Sequence, residues 1–492
     1  MVVTRFKRFS GALPAVVCLA SYGVYHAWAT SRIPVPIWDG AVYEILARNL
    51  LNAQPLYEFF RPLVLPIIIA LTWCLIGVNY EAPNFFPLLF TVGAAWILYS
   101  LIKPTKGRNL ALLTMLVFLL AAPIMLWTDF LLPHSLSVFF VLLAVWLLNK
   151  GTLRGWLFAG LSSSVAILAR YPTAVIVFAV FLVYLFEYRK LLLANVLALG
   201  VVIPIVPVYF YSPPLLLDVF ERNFLTWSQI SSGELAFASP SPVEPVQFYI
   251  SAILQIFTTL VPFLILGLIS RSTYRDPLTK VFAAWFIVAF IFFSLVPNKQ
   301  TRFIFEWVPA IAVLSVSGIQ TAWKRIGNSI DSGPNWKVPR ISRRFLLGCS
   351  LLLLIGGSVL YAIGNQASIY SRDFARYEGV QRAAAESVEV AIYVKNMTVP
   401  GDVVITDTQA PIMTLYSERS VYSIQVLPMD RLHLFLEIGY GFEWKRPVAV
   451  IFFPHVSGYD PNLLLQQDFL QLKTSFLVSK SLGTVYIFTF TG

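Results

Sequence analysis

A carboxylate abstracts a proton best when it is partly desolvated, and the chain places two aspartates in short polar breaks between long apolar runs. Asp39 stands in Trp38-Asp39-Gly40-Ala41-Val42-Tyr43-Glu44, between aromatic rings, and Asp129 stands in Trp127-Thr128-Asp129-Phe130. An ionised carboxylate deep in hydrocarbon costs roughly 2.5–3.5 kcal/mol, less near the interface, so Asp129 needs a partner or a task. Plainer readings stand beside these: Asp39 also suits the cap of the helix that follows it, and Asp129 a solvated loop. Cations recur at neighbouring breaks: Arg61 before Pro62, Arg170 in Ala169-Arg170-Tyr171-Pro172, and Lys299 with Arg302 in Pro297-Asn298-Lys299-Gln300-Thr301-Arg302. Together they could clamp a phosphate through charge-assisted hydrogen bonds; singly, each reads as a snorkelling anchor. Tyr43, Glu44, His134 and Tyr171 lie close enough in sequence to support these groups.

Such residues meet only if the apolar runs bring them to one face of a membrane. With 492 residues, 58% hydrophobic and 12% charged, and a mean hydropathy of +0.73, the chain is too apolar for a water-soluble globule. Runs near 11–29, 85–102, 109–127, 135–149, 155–169, 173–187, 191–211, 247–270, 278–296, 303–322 and 344–364 approach the ~20 residues of a spanning helix, predicting a polytopic α-helical membrane protein with about eleven crossings. The first run, after Arg5, Lys7 and Arg8, lacks a small-residue cleavage site and reads as a retained signal-anchor. One further stretch, Leu63–Val78, decides the topology. If it lies along or re-enters the outer interface, the clusters Arg5/Lys7/Arg8, Lys103/Lys106/Arg108, Lys150/Arg154, Arg189/Lys190, Arg271/Arg275 and Lys324–Arg344 all face the cytoplasm, and Asp39 and Asp129 share the outer face.

This arrangement makes residues 1–364 a transmembrane catalytic domain and 365–492 an extracytoplasmic α+β domain, with the N-terminus cytoplasmic and the protein in the plasma (inner) membrane. The tail has polar residues and short β-rich runs at 402–406, 421–424, 448–453 and 484–490, beside a helix-like stretch over 379–396. Residues 365–492 carry 10 Lys and Arg against 12 Asp and Glu, leaving 26 against 13 for the rest; the net charge of +11 is therefore a topology signal, not a nucleic-acid footprint. Cys18, Cys74 and Cys349 lie in apolar runs and support neither disulfides nor a thiolate metal site. No Walker A loop, dinucleotide fingerprint, H-E-x-x-H or C-x-x-C pattern is present, which argues against an ATP-driven pump. The loop 212–247 could cover a cleft, and Asn396-Met397-Thr398 fits a glycosylation acceptor.

The acidic first loop, Arg61-Pro62 with the segment after it, the basic loop at Lys103–Arg108 and the acidic second loop resemble the GT-C superfamily of polytopic glycosyltransferases, in the branch of protein O-mannosyltransferases and lipid A aminoarabinose transferases. The resemblance covers most of residues 1–325. It implies that Asp39 is the catalytic carboxylate and Asp129 a second acidic residue, with Arg61, Arg170, Lys299 and Arg302 at the donor phosphate. The chain departs from the pattern at Gly40, where many members have glutamate; Glu44 lies one helical turn further on. The implied activity is inverting transfer of a sugar, mannose being the type case, from a polyprenyl-phosphate carrier to a hydroxyl acceptor on the outer face of the bilayer. Asp39 would activate the nucleophile and the cations would stabilise the leaving phosphate. The superfamily holds metal-dependent and metal-independent members, and no dedicated divalent-metal ligand set is visible here. The alternatives are a transporter or lipid-binding permease, against which the lack of repeated halves argues, and a noncatalytic scaffold.

Overall fold

Backbone polar groups have no water to bond in hydrocarbon, so the apolar runs must satisfy them internally, and they do so as helices. The computed structural model describes residues 12–33, 35–36, 38–54, 61–188, 191–211, 243–271, 273–295, 301–332, 361, 364–371, 384–407, 409–423, 447–453, 470–479 and 483–490. Among them, Ala82–Lys106, Val246–Ile269, Pro277–Leu295 and Thr301–Arg325 are each long and apolar enough to cross a membrane. Arg108–Leu119 and Ala122–Thr128, bent by 60° against each other, make a fifth crossing if taken as one. Val64–Ile76, His134–Leu148, Leu153–Ala169, Thr173–Glu187 and Leu192–Val206 are shorter apolar helices. The stretch Leu63–Val78 forms a helix of only 13 residues, about 20 Å long against a hydrocarbon core of about 30 Å. Most of the expected span 344–364, the loop 212–242, Arg5, Lys7, Arg8, Arg189, Lys190 and Lys299 lie outside the described residues.

The chain divides into two compact units. One comprises residues 1–30, 59–65 and 85–373; the other comprises 31–58, 66–84 and 374–492. The first is the helical body. Two of its helix pairs cross at facing glycines: Leu153–Ala169 meets Leu191–Tyr211 at Gly160 and Gly200, and Val261–Ile269 meets Val308–Ser332 at Gly267 and Gly318. Added methyl groups at these positions would run into the opposing backbone, at the Leu197 and Leu157 carbonyls in one crossing and the Leu314 and Phe263 carbonyls in the other. In lipid, where apolar side chains gain little by leaving one another's company, such backbone proximity is a main source of helix association. The bend in the third apolar run has a local cause. Ala121 is extended (φ −65°, ψ 128°) and Pro123 opens the next helix, where its missing N–H leaves no bond unmade.

The second unit contains a five-stranded sheet in the order β2-β1-β3-β5-β4. Its strands are β1 (Val403–Thr406), β2 (Ser420–Ser423), β3 (Pro447–Phe452), β4 (Leu470–Ser479) and β5 (Gly483–Phe490). β1 runs parallel to β2 and β3, whereas β3–β5 and β4–β5 are antiparallel. The helix over residues 384–397 covers the sheet with Val390, Ala391 and Val394, which pack on Val404, Ala449, Ile451, Val485 and Ile487. A second cluster brings in the first loop: Val35, Ala41 and Ile45 pack with Ala384, Ile412 and Leu415, the last two on the helix Ala410–Ser417. Arg48 completes that contact by donating to the Leu415 carbonyl at 2.7 Å, at a helix end where unpaired carbonyls favour a cation.

The glycine crossings give a direct test. Gly318→Ala should destabilise the protein by about 1–3 kcal/mol, seen as a lower melting temperature in detergent. Gly23→Ala, which meets nothing within 4 Å, should leave melting unchanged. Equal melting of both variants would refute backbone contact at the crossing.

Candidate active site

Asp129 follows immediately on the short helix Ala122–Thr128 and is completely buried. A carboxylate there must be matched by donors, and three arrive from distant parts of the same unit. His26 Nδ1 lies 2.7 Å from Oδ1, the Thr30 hydroxyl donates to Oδ1 at 3.4 Å, and the Tyr370 hydroxyl donates to Oδ2 at 2.9 Å. Burial pushes the Asp129 carboxyl up, and the bonds from His26, Tyr370 and Thr30 pull it back. His26 and Thr30 lie on the helix Leu13–Ser31, four residues apart and therefore on one face. Tyr370 lies on the helix over 364–371, which Gln366 and Asn365 fasten: Gln366 accepts from the Ala122 amide at 2.5 Å and donates to the Ile256 carbonyl, and Asn365 donates to the Gln255 carbonyl at 2.8 Å. Below Asp129, Thr128 bonds the Ile124 carbonyl and both Tyr22 and Thr91, fixing the turn.

Beside this face lies a cavity of about 360 Å³, lined by Ala122, Leu126, Trp127, Ile256, Thr301 and Tyr370 among others. Its walls are largely apolar, with polar groups at Gln255, Thr301 and Asn365.

A second ionic cluster gathers Arg170, Glu306, His134 and Arg302. Arg170 ends the helix Leu153–Ala169 in an extended conformation, is buried, and donates through Nη1 to Glu306 Oε1. His134 Nδ1 lies 3.7 Å from the same oxygen, and Arg170 and Arg302 are the cations whose field reaches His134. The Arg170 guanidinium also stands 5.0 Å from the Phe303 ring centre and 5.6 Å from that of Phe293. Arg302 is half-buried in the 3₁₀ segment Thr301–Trp307, which Trp285 secures by donating to the Glu306 carbonyl at 2.9 Å. Tyr171 and Arg61 are half-buried.

The remaining sequence-derived residues lie in the other unit. Asp39 is half-buried in the first turn of the helix Trp38–Leu51, inside the helix and not at its cap, where the macrodipole favours negative charge. Tyr43, one turn on, is buried. Glu44 is wholly buried, with no hydrogen-bond partner for either oxygen among the described residues, and burial pushes its carboxyl well up. Lys299 is outside the described residues. The sequence reading missed His26, Tyr370 and Glu306. His26 and Glu306 are single polar residues inside apolar runs, and that oddity was the available signal. Among the described residues no three of His, Cys, Asp and Glu gather closely enough to hold a metal ion.

Two outcomes follow from the pairing. Glu306→Gln leaves Arg170 buried without its counter-charge and should cost about 3–5 kcal/mol, whereas replacing both with methionine should be close to neutral, measured by thermal melting. For Glu44 the folded chain keeps a proton that the unfolded chain releases above its ordinary value of 4.5. Its contribution to stability is therefore full below that value and is lost as pH rises. Glu44→Gln, isosteric with the protonated acid, should flatten the fall in melting temperature between about pH 5 and pH 8.

Residues 60–212 match the model of the dolichyl-phosphate-mannose-protein mannosyltransferase family. No curated protein sequence matches the chain. The fold is similar to that of ArnT from Cupriavidus metallidurans bound to undecaprenyl phosphate, with a TM-score of 0.66 and 14% identity over 98% of this chain and 99% of that one. The apo state of the same enzyme gives 0.63 at 14% identity, over 97% and 98%. The archaeal oligosaccharyltransferase AglB from Archaeoglobus fulgidus, in complex with an inhibitory peptide and a dolichol-phosphate, gives 0.54 at 12% identity over 95% of this chain and 74% of that one. The chain is thus a polytopic membrane protein with the fold of ArnT and AglB.

Proposed function

We propose that the protein is a membrane glycosyltransferase that moves a sugar from a polyprenyl-phosphate carrier to a hydroxyl acceptor, with inversion at the anomeric carbon. The observation that carries this reading is the end-to-end correspondence of fold with ArnT, a chain seen holding undecaprenyl phosphate. The match of residues 60–212 to a family named for a dolichyl-phosphate-mannose donor supports it and makes mannose the first sugar to try. A lipid-linked donor also accounts for the absence from the sequence of a dinucleotide or P-loop phosphate site.

In this reading Asp39 is the base. The acceptor hydroxyl attacks the anomeric carbon, its proton passes to Asp39, and the bond from that carbon to the phosphate oxygen breaks. The electron pair leaves with the polyprenyl phosphate, already a stable anion, so acceleration comes from activating the nucleophile and holding the leaving group. Arg61, Lys299 and Arg302 hold the donor phosphate. Arg170, engaged by Glu306, acts by fixing the segment that carries Arg302. Asp129 is a fixed charge assisting Asp39; Tyr43, His134 and Tyr171 support the two groups. In this reading the N-terminus and the loop at Lys103–Arg108 are cytoplasmic and the first loop and residues 365–492 lie outside the inner membrane, an orientation that the distribution of the basic clusters supports.

The test is transfer of label from polyprenyl-phosphate [³H]mannose, and in parallel from the same carrier bearing aminoarabinose, into membranes containing the protein. Asp39→Asn should lower incorporation by about 10²–10⁴-fold while the carrier still binds. Incorporation equal to that of the unaltered protein would remove Asp39 from the mechanism. Failure of both donors to label wild-type membranes would remove the donor class.

A further inference from the structure

His26 has no place in the mechanism just described, yet it is bonded to Asp129 and enclosed by aromatic rings. It is fully buried on the helix Leu13–Ser31, its Nδ1 lies 2.7 Å from Asp129 Oδ1, and its Nε2 has no hydrogen-bond partner among the described residues. The ring is held on its flanks by aromatic neighbours. The Tyr22 ring is 4.1 Å away between centres, and Tyr25 stands edge-on at 5.0 Å. Tyr370 meets it at 6.1 Å while donating its hydroxyl to the other Asp129 oxygen. A buried nitrogen left without a partner is costly, and folds retain such groups where orientation matters more than stability. A carboxylate bonded to one ring nitrogen also selects the tautomer and the orientation of the imidazole, and is itself held in place in return.

We infer that His26 is a positioning residue for the transferase: by donating from Nδ1 it fixes Asp129 in one rotamer and as a carboxylate, and with Tyr370 it aims that charge at the reacting face. The groups facing Asp129 are His26, Thr30 and Tyr370, and those facing His26 are Asp129, Tyr22, Tyr25 and Tyr370. Of the three donors to Asp129 the imidazole comes nearest, at 2.7 Å, so it is the donor whose loss Asp129 feels most. The assignment rests on the glycosyltransferase reading only for its kinetic consequence; the pairing itself can be tested without a donor.

The experiment compares wild type, His26→Leu and His26→Asn in detergent, with Asp129→Asn as the spectral blank. Asparagine keeps an N–H close to the position of Nδ1; leucine keeps bulk without a donor. Infrared pH titration of the protonated-carboxyl band that Asp129→Asn abolishes should show its midpoint rising by about one pH unit or more in His26→Leu, a tenfold or larger change in acidity, and returning toward wild type in His26→Asn. In the labelled-donor assay His26→Leu should lower kcat by about 10–100-fold with KM for the donor unchanged, and its acidic limb should move to higher pH. A His26→Leu band midpoint equal to that of wild type overturns the inference, as does a loss of activity that follows melting temperature alone in both variants. Absence of transfer in wild type would instead indict the proposed reaction and leave the infrared result to decide the role of His26.

Discussion

Charges at the edge of hydrocarbon must find counter-groups, and in the helical body of this protein that requirement fixes which distant segments meet. Asp129 takes donors from residues 26, 30 and 370, so one carboxylate ties the first described helix to the last described helix of its unit. Glu306 does the same for Arg170, 136 positions away, with His134 beside both. Removing one member of such a pair leaves the other buried and uncompensated, which costs more than the pair contributes. The pairs are therefore better understood as specifying an arrangement than as stabilising it.

Meeting at such distances demands that helices approach closely and stop at defined points. The glycine crossings supply the approach, since Gly160, Gly200, Gly267 and Gly318 each leave room only for opposing backbone. Proline supplies the stops. Pro123 opens the helix that ends just before Asp129, and Pro172 follows the residue pair at which the helix Leu153–Ala169 yields Arg170. The polar side chains are thus delivered by features of the apolar segments that carry them. An acidic residue displaced by one position along its helix would turn by about 100° and lose its partners.

That division explains what could be read in the sequence. Asp129, Arg170 and His134 stand at breaks between apolar runs, and a break with a charge is visible without knowing its surroundings. Val403–Thr406, Pro447–Phe452 and Gly483–Phe490 were likewise visible as β-branched and aromatic runs, because propensity there agrees with the pleated surface the residues occupy. His26 and Glu306 were hidden because a single polar residue within an apolar run gives no sign of its partner, and the partners lie more than a hundred positions away. Position also misled: Arg170 reads as a cation available to a phosphate, and only the fold reveals that Glu306 already engages it. Helix lengths were legible only in outline, since a run of apolar residues does not show where a bend such as that at Ala121 will divide it.

In the first loop Asp39 is followed by Gly40, and Glu44 is the next carboxyl on the same helix. The two carboxyls share one helix but not one environment. Asp39 is half-buried in the first turn, where the helix dipole favours an anion, whereas Glu44 is sealed among Tyr416 and the cluster of Val35, Ala41 and Ile45, with its carboxyl pushed up by burial. Burial thus favours the protonated form of Glu44, whereas the helix dipole favours the anion at Asp39. Gly40 is itself buried, so a carboxylate side chain at that position would have to give up water to fit, at a cost in stability.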